Sequence, residues 1–137
     1  MTNNFSDYYK LTEKRLMAYN DLSAKLEIDL LQLQELKREG SFNYCFEGLE
    51  NDITTKTESL KRQISDGMRE VSRLDNAIDA ISKDYYADII RLKYIEGKSD
   101  EYIAEVLNCD VSTVRRNKKR ILMRMAIRLF GCEALVV

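Results

Sequence analysis

The chain has 137 residues with 22 basic and 23 acidic side chains, and its net charge of −1 gives no overall attraction to polyanions. It contains no histidine, which removes the commonest general base and metal ligand; histidine-dependent catalysis is excluded, an enzyme is not expected, and no cofactor is called for. Cys45, Cys109 and Cys132 are widely spaced, odd in number and lack a Cys-x-x-Cys pair, which argues against a disulfide framework or a zinc site.

Proline is absent, glycine numbers five and 33% of residues are charged, a composition of long solvated helices. The expected fold is all-α: a long antiparallel helical hairpin over 1–83, then a three-helix head over 84–137. The overall charge hides an asymmetry, since residues 1–83 carry 12 basic and 15 acidic side chains (−3) while 84–137 carry 10 and 8 (+2). With no signal peptide and no apolar run of membrane-spanning length, the expected location is cytoplasmic and no membrane partner is expected.

The first long helix is expected over 5–38, opening at Ser6 as N-cap. Its stripe is Tyr8, Thr12, Leu16, Tyr19, Leu22, Leu26, Leu30, Leu33 and Leu36, widened by Leu11, Met17, Ile28 and Leu31. Such a helix is about 50 Å long and needs a partner along its length. Asp29 is close to the stripe; it is either a register-setting polar residue or, the simpler account, exposed at the seam edge. Gly40 to Asp52 interrupts the period with Gly40, Ser41, Asn43 and Gly48 among Phe42, Tyr44, Cys45, Phe46 and Leu49. This cluster either plugs the hairpin tip, the simpler account, or docks another protein such as RNA polymerase.

The second long helix is expected from Ile53 to Ser82, with a 3–4 alternation through Thr57, Leu60, Ile64, Gly67, Val71, Leu74, Ile78 and Ile81. Gly67 costs roughly 1 kcal/mol against alanine and marks a close approach or a bend. Oligomerisation, as a homodimer, is assigned to the long helices through Leu22, Leu26, Leu33, Leu60, Ile64, Val71, Leu74 and Ile78. After a junction at Ser82, Lys83 and Asp84, a support helix is expected from Tyr85 to Glu96, burying Tyr86, Ile89 and Ile90 and ending at Gly97.

Ser99 then caps a short helix with Asp100 and Glu101 in its first turn. Ile103, Val106 and Leu107 are its expected buried stripe, with Ala104 small enough to let a second helix cross. Asn108 suits the left-handed end of that helix, Cys109 plugs the turn, and Asp110 caps the next helix, Val111–Phe130. In that helix Val114, Ile121, Leu122, Met125 and Leu129 face inward, with Lys118 along the core edge. Its other faces carry Arg115, Arg116, Lys119, Arg120, Arg124 and Arg128, and no acidic residue occurs between 111 and 130. Solvated faces usually mix signs, so a purely basic helix after a tight turn points to double-stranded DNA. Val111, Ser112, Arg115 and Arg116 are expected to read bases, either arginine being able to grip guanine. Thr113, Asn117, Lys119, Arg120 and Arg124 are expected at phosphates, and Tyr102 is either a backbone contact or an ordinary half-buried tyrosine. The apolar tail from Cys132 to Val137 is expected either to fold back on the head or to cross to a second subunit.

The segment from Ile90 to Leu122, through Leu92-Lys93-Tyr94-Ile95-Glu96-Gly97, Ile103-Ala104-Glu105 and Val111-Ser112-Thr113-Val114-Arg115-Arg116, resembles the region-four helix-turn-helix of bacterial sigma factors. Its continuation through Arg120 and Met125-Ala126-Ile127-Arg128-Leu129-Phe130-Gly131 is similar to small late-gene transcription regulators of Gram-positive phages and prophages, of the ArpU and RinA type. The resemblance covers about the last third of the chain and implies promoter binding and regulation of transcription. Asn108 stands where region four usually has glycine, and Lys98 where it usually has an apolar residue. No segment resembles region two, so a complete sigma factor is not expected. Two rivals carry the same features: a small-terminase-like packaging protein, and a coiled-coil protein that contacts RNA polymerase without reading DNA.

Overall fold

The computed structural model describes residues 4–42 and 47–131, with side chains over 7–38 and 55–131. Its helices are α1 (Asn4–Met17), α2 (Tyr19–Phe42), α3 (Glu47–Ala80), α4 (Asp88–Ile90), continued by a π-helical turn over Arg91–Ile95, α5 (Asp100–Leu107) and α6 (Val111–Phe130). There is no strand among the described residues, and none of their helices is long and apolar enough to cross a membrane. The aromatic cluster expected at the hairpin tip and the apolar tail 132–137 lie outside the described side chains.

The chain forms two compact units, one from residues 1–20 and 73–137 and the other from Asp21–Ser72. This grouping differs from the division expected at 83/84: by contact, α1 and the last turns of α3 go with the head. Contacts far apart in sequence cause this. Tyr8 stacks on Phe130 at 5.0 Å, the Arg15 guanidinium lies 4.7 Å over the same ring, and the Tyr94 hydroxyl donates to Glu13 at 2.6 Å. Arg73 donates to the Leu129 carbonyl at 2.7 Å, placing positive charge at the carbonyl end of α6 where the helix dipole favours it. The single long helix expected over 5–38 is interrupted at Ala18, two residues before the chain leaves the head unit. Among the residues expected to widen its stripe, Leu11, Met17, Ile28 and Leu31 are exposed.

The core of the head takes Thr12 and Leu16 from α1, Leu74, Ala77 and Ile81 from the end of α3 and the turn after it, Ile89 and Ile90 from α4, Ile103 and Ala104 from α5, and Val114, Ile121, Leu122, Met125, Ala126 and Leu129 from α6. Thr12 is fully buried because its hydroxyl finds an acceptor, the Tyr8 carbonyl at 2.8 Å. Val106, expected in the buried stripe of α5, is 53% exposed. At 100° per residue Ile103, Ala104 and Leu107 share one face, and Val106 falls off it. The helix expected from Tyr85 begins at Asp88, because the stretch before it is closed by tight i→i+3 bonds such as Asp84 N–H to the Ile81 carbonyl at 3.0 Å and Ala87 N–H to the Asp84 carbonyl at 3.1 Å.

In the other unit, α2 and α3 run antiparallel with Leu26 against Gly67. A Cβ on Gly67 would stand 2.7 Å from Leu26 Cδ2 and 3.3 Å from its Cγ, so the glycine marks a close approach. Counting three residues along each helix from that contact puts Asp29 opposite Ile64, and both are buried. Asp29 thus sits in the seam, not at its exposed edge, while Leu30, expected in the stripe, is 45% exposed. The residues assigned to oligomerisation in this unit, Leu22, Leu26, Leu33, Leu60, Ile64 and Val71, are half-buried or buried within the chain's own hairpin. Leu74 and Ile78 are likewise covered within the head. Gly67→Leu should destabilise the protein by about 1–3 kcal/mol through overpacking, read as a lowered urea midpoint. An unchanged midpoint would mean that the seam has room at Leu26.

Candidate nucleic-acid interface

Local chemistry builds the helix-turn-helix as the sequence indicates. Ser99 is the N-cap of α5, its Oγ accepting from the Tyr102 N–H at 3.2 Å. The chain leaves α5 through Asn108 at φ 55° and ψ 53°, while Cys109 N–H reaches back to the Ala104 carbonyl at 2.9 Å and Asn108 N–H to that of Glu105 at 3.2 Å. This paired closure satisfies the last carbonyls of the helix, and asparagine tolerates the left-handed conformation that it requires. Cys109 and Val111 then pack on the cluster of Ile89, Ile103, Ala104 and Val114, locking the turn between α4, α5 and α6. Asp110 holds the N-cap position of α6 by its backbone, φ −81° and ψ 154°, but its side chain makes no capping bond.

Three faces of α6 have separate roles. Val114, Ile121, Leu122, Met125, Ala126 and Leu129 form the buried face. Ser112, Arg115, Arg116 and Lys119 are all exposed on a second face. Arg115 is 64% exposed and leans on Asp100 at 3.5 Å; Asp100 itself is held at 2.8 Å by Lys93. That bond from Lys93, with the charges of Lys93, Lys118 and Arg115, keeps the Asp100 carboxyl below its usual range. Arg116 approaches Thr113 Oγ1 at 3.4 Å, and no ion pair to Lys119 occurs among the described residues. Val111, expected to read bases, is half-buried against the core cluster.

The remaining expected phosphate ligands lie on the third face and are joined to one another. Asn117 Nδ2 donates to the Thr113 carbonyl at 2.9 Å, and Arg120 Nε donates to Asn117 Oδ1 at 3.2 Å. The Arg120 fork then grips Asp84 at 2.7 and 2.9 Å, and Arg124 reaches the same carboxylate at 3.2 Å. Asp84, which the sequence places only in the junction before the support helix, is the residue this face is built around; no local pattern signals it, because its partners are 36 and 40 positions away. Lys118 turns aside into a cleft with Glu13, Met17, Lys93 and Tyr94. Arg128 borders another beside Arg73. Tyr102 is 45% exposed with the Lys98 ammonium 5.0 Å over its ring.

Residues 73–125 match the family model of Sigma-70, region 4. The matched stretch is a sigma region-four-like helix-turn-helix, and it begins where α3 re-enters the head unit. Comparisons with curated proteins and with solved structures find no match. The α1 helix that packs on α6 lies outside the matched stretch.

The clasp on Asp84 makes stability depend on pH. Hydrogen bonding from Arg120, then the Tyr86 N–H and the charges of both arginines, lower its carboxyl pKa to about 2. A depressed pKa stabilises the folded state fully above the unfolded value near 4, and that contribution is lost as pH falls through about 2. The gap in urea midpoint between wild type and Asp84→Asn should therefore hold from pH 7 to about 4 and close between 4 and 2. A gap independent of pH would show that the carboxylate charge is not what the arginines bind.

Proposed function

We propose that the chain is a sequence-specific DNA-binding regulator of transcription, of the phage or prophage late-gene kind. On this reading α6 enters the major groove, Ser112, Arg115 and Arg116 meet base edges with Val111 at the groove wall, and Lys119 holds a phosphate. The observation that carries the reading is the outward face of α6: Ser112, Arg115, Arg116 and Lys119 exposed directly after a tightly closed turn, on a helix without an acidic residue. A homodimer would set two such helices on two half-sites. The seam residues being covered within the chain, its contact would fall to the exposed Ile28, Leu30 and Leu31 of α2.

The test is a titration against duplexes from the gene's own neighbourhood, with excess random duplex, at two salt concentrations. A preference for one segment that persists against competitor and weakens with salt is the expected result. Equal binding to all duplexes would instead favour the packaging or polymerase-contact readings.

A further inference from the structure

Four of the residues that sequence alone assigns to phosphates form one ladder pointing at the protein. Thr113, Asn117, Arg120 and Arg124 repeat at intervals of four, three and four, which on an α-helix is a single stripe. The stripe of Ser112, Arg116 and Lys119 lies roughly a quarter-turn away around the same helix. At the end of the ladder the Asp84 side chain is only 10% exposed, although the arginines holding it are 45% and 53% exposed. The carboxylate is also fixed from behind, accepting from the Tyr86 N–H at 2.9 Å within its own turn.

This geometry has a chemical consequence. A guanidinium carries five N–H donors in one plane, and an edge whose N–H groups hold a carboxylate or an amide oxygen cannot hold a phosphate through the same donors. Asp84 takes the Nη1/Nη2 edge of Arg120, and Asn117 Oδ1 takes its Nε/Nη2 edge at 3.2 and 3.1 Å, so both bidentate edges are occupied. For a DNA phosphate to take the edge that Asp84 holds, a nearly buried carboxylate must be left without its strongest partner, which is costly.

Resting on the DNA-binding reading above, we propose that Asp84 is a positioning residue and specificity determinant: it withholds Arg120 from the DNA backbone. Phosphate attraction is thereby weighted toward the outward face that carries the base-reading arginines. The same clasp ties the turn before α4 to the middle of α6, fixing the recognition helix against its support. A released Arg120 would add sequence-independent affinity and so dilute discrimination.

The test is the salt dependence of binding. In Asp84→Asn, which keeps the local turn chemistry but not the charge, the slope of log K against log salt should steepen by about 0.9, for one added phosphate contact. Affinity for random duplex should rise, and the ratio of preferred to random binding should fall. Adding Arg120→Gln to that variant should return the slope to the wild-type value. A slope unchanged or shallower in Asp84→Asn overturns the proposal, as does a double variant about 0.9 shallower than wild type. Binding of wild type to no duplex at either salt overturns the DNA reading, and this proposal with it. A measurement on the wild-type chain guards against a variant that fails to fold: on adding duplex, the Nε–H resonances of Arg115 and Arg116 should shift while that of Arg120 stays in place. A comparable shift of Arg120 overturns the proposal.

Discussion

Replacing Arg115 and Arg116 together by alanine is expected to lower affinity for the preferred duplex by about 30-fold to 10⁴-fold, at about 1–3 kcal/mol for each bidentate base contact. Affinity for random duplex should fall far less, since Lys119 and the remaining charge are untouched. The fold should hold within about 0.5 kcal/mol, as for surface substitutions away from packing features. Both side chains are exposed, and Asp100 keeps its 2.8 Å bond to Lys93 when the 3.5 Å contact to Arg115 is lost. Competition binding and urea unfolding of the same preparation separate the two effects. A variant that unfolds, or that loses affinity for preferred and random duplex equally, would make these arginines structural or merely electrostatic.

The turn was legible because its signals are local. Ser99, Asn108 and Cys109 each act within a few positions of themselves: a hydroxyl on a nearby N–H, a left-handed backbone, and a small side chain over the adjoining core. The inward face of α6 was legible for a similar reason, a helical period with large aliphatic residues. The site failed to show itself where partners are far apart in sequence. That α1 packs on α6 and on the π-helical turn depends on Tyr8 meeting Phe130 and on Glu13 meeting Tyr94, and neither pair leaves a trace in the periodicity of its own helix. The basic residues of α6 are alike in composition, but Asp84 divides them into a face turned outward and a face turned to the protein. Charge counting cannot separate arginines that face solvent from arginines that face a carboxylate 36 positions away.

The second unit holds the opposite kind of misreading, in which local hydrophobicity overrode phase. Hydrophobicity alone draws the stripe through Leu30, yet the spacing from Leu26 to Leu33 passes by steps of three and four through Asp29. The structure follows the phase: Asp29 is 6% exposed and Leu30 45%. The Asp29 carboxylate lines a cleft with Leu22, Leu26 and Gly67, where Asp66 and Glu70 add like charge, and its ion pair is with Lys25 at 2.8 Å, from a lysine side chain that is itself 60% exposed. Such a pair seldom offsets the desolvation of its buried member.

Asp29→Leu is therefore expected to stabilise the chain by about 1–4 kcal/mol, as replacement of buried ionic groups by packed aliphatic ones often does. The gain should appear as a higher urea midpoint with an unaltered slope, since the surface exposed on unfolding changes little. Leucine would extend Leu22, Leu26, Leu33 and Leu36 into an unbroken 3–4 seam. The native aspartate then has its use in what that seam forbids. A single polar residue at a seam position fixes register, because any slip of the pair sets the carboxylate against a different aliphatic neighbour and away from Lys25. Asp29→Leu should accordingly be more stable but less singular, and size-exclusion chromatography with light scattering should find additional oligomeric species at high concentration. A lower urea midpoint for Asp29→Leu would instead show that the carboxylate is held by more than Lys25. A higher midpoint with one unchanged species would leave register to the close approach of Leu26 on Gly67.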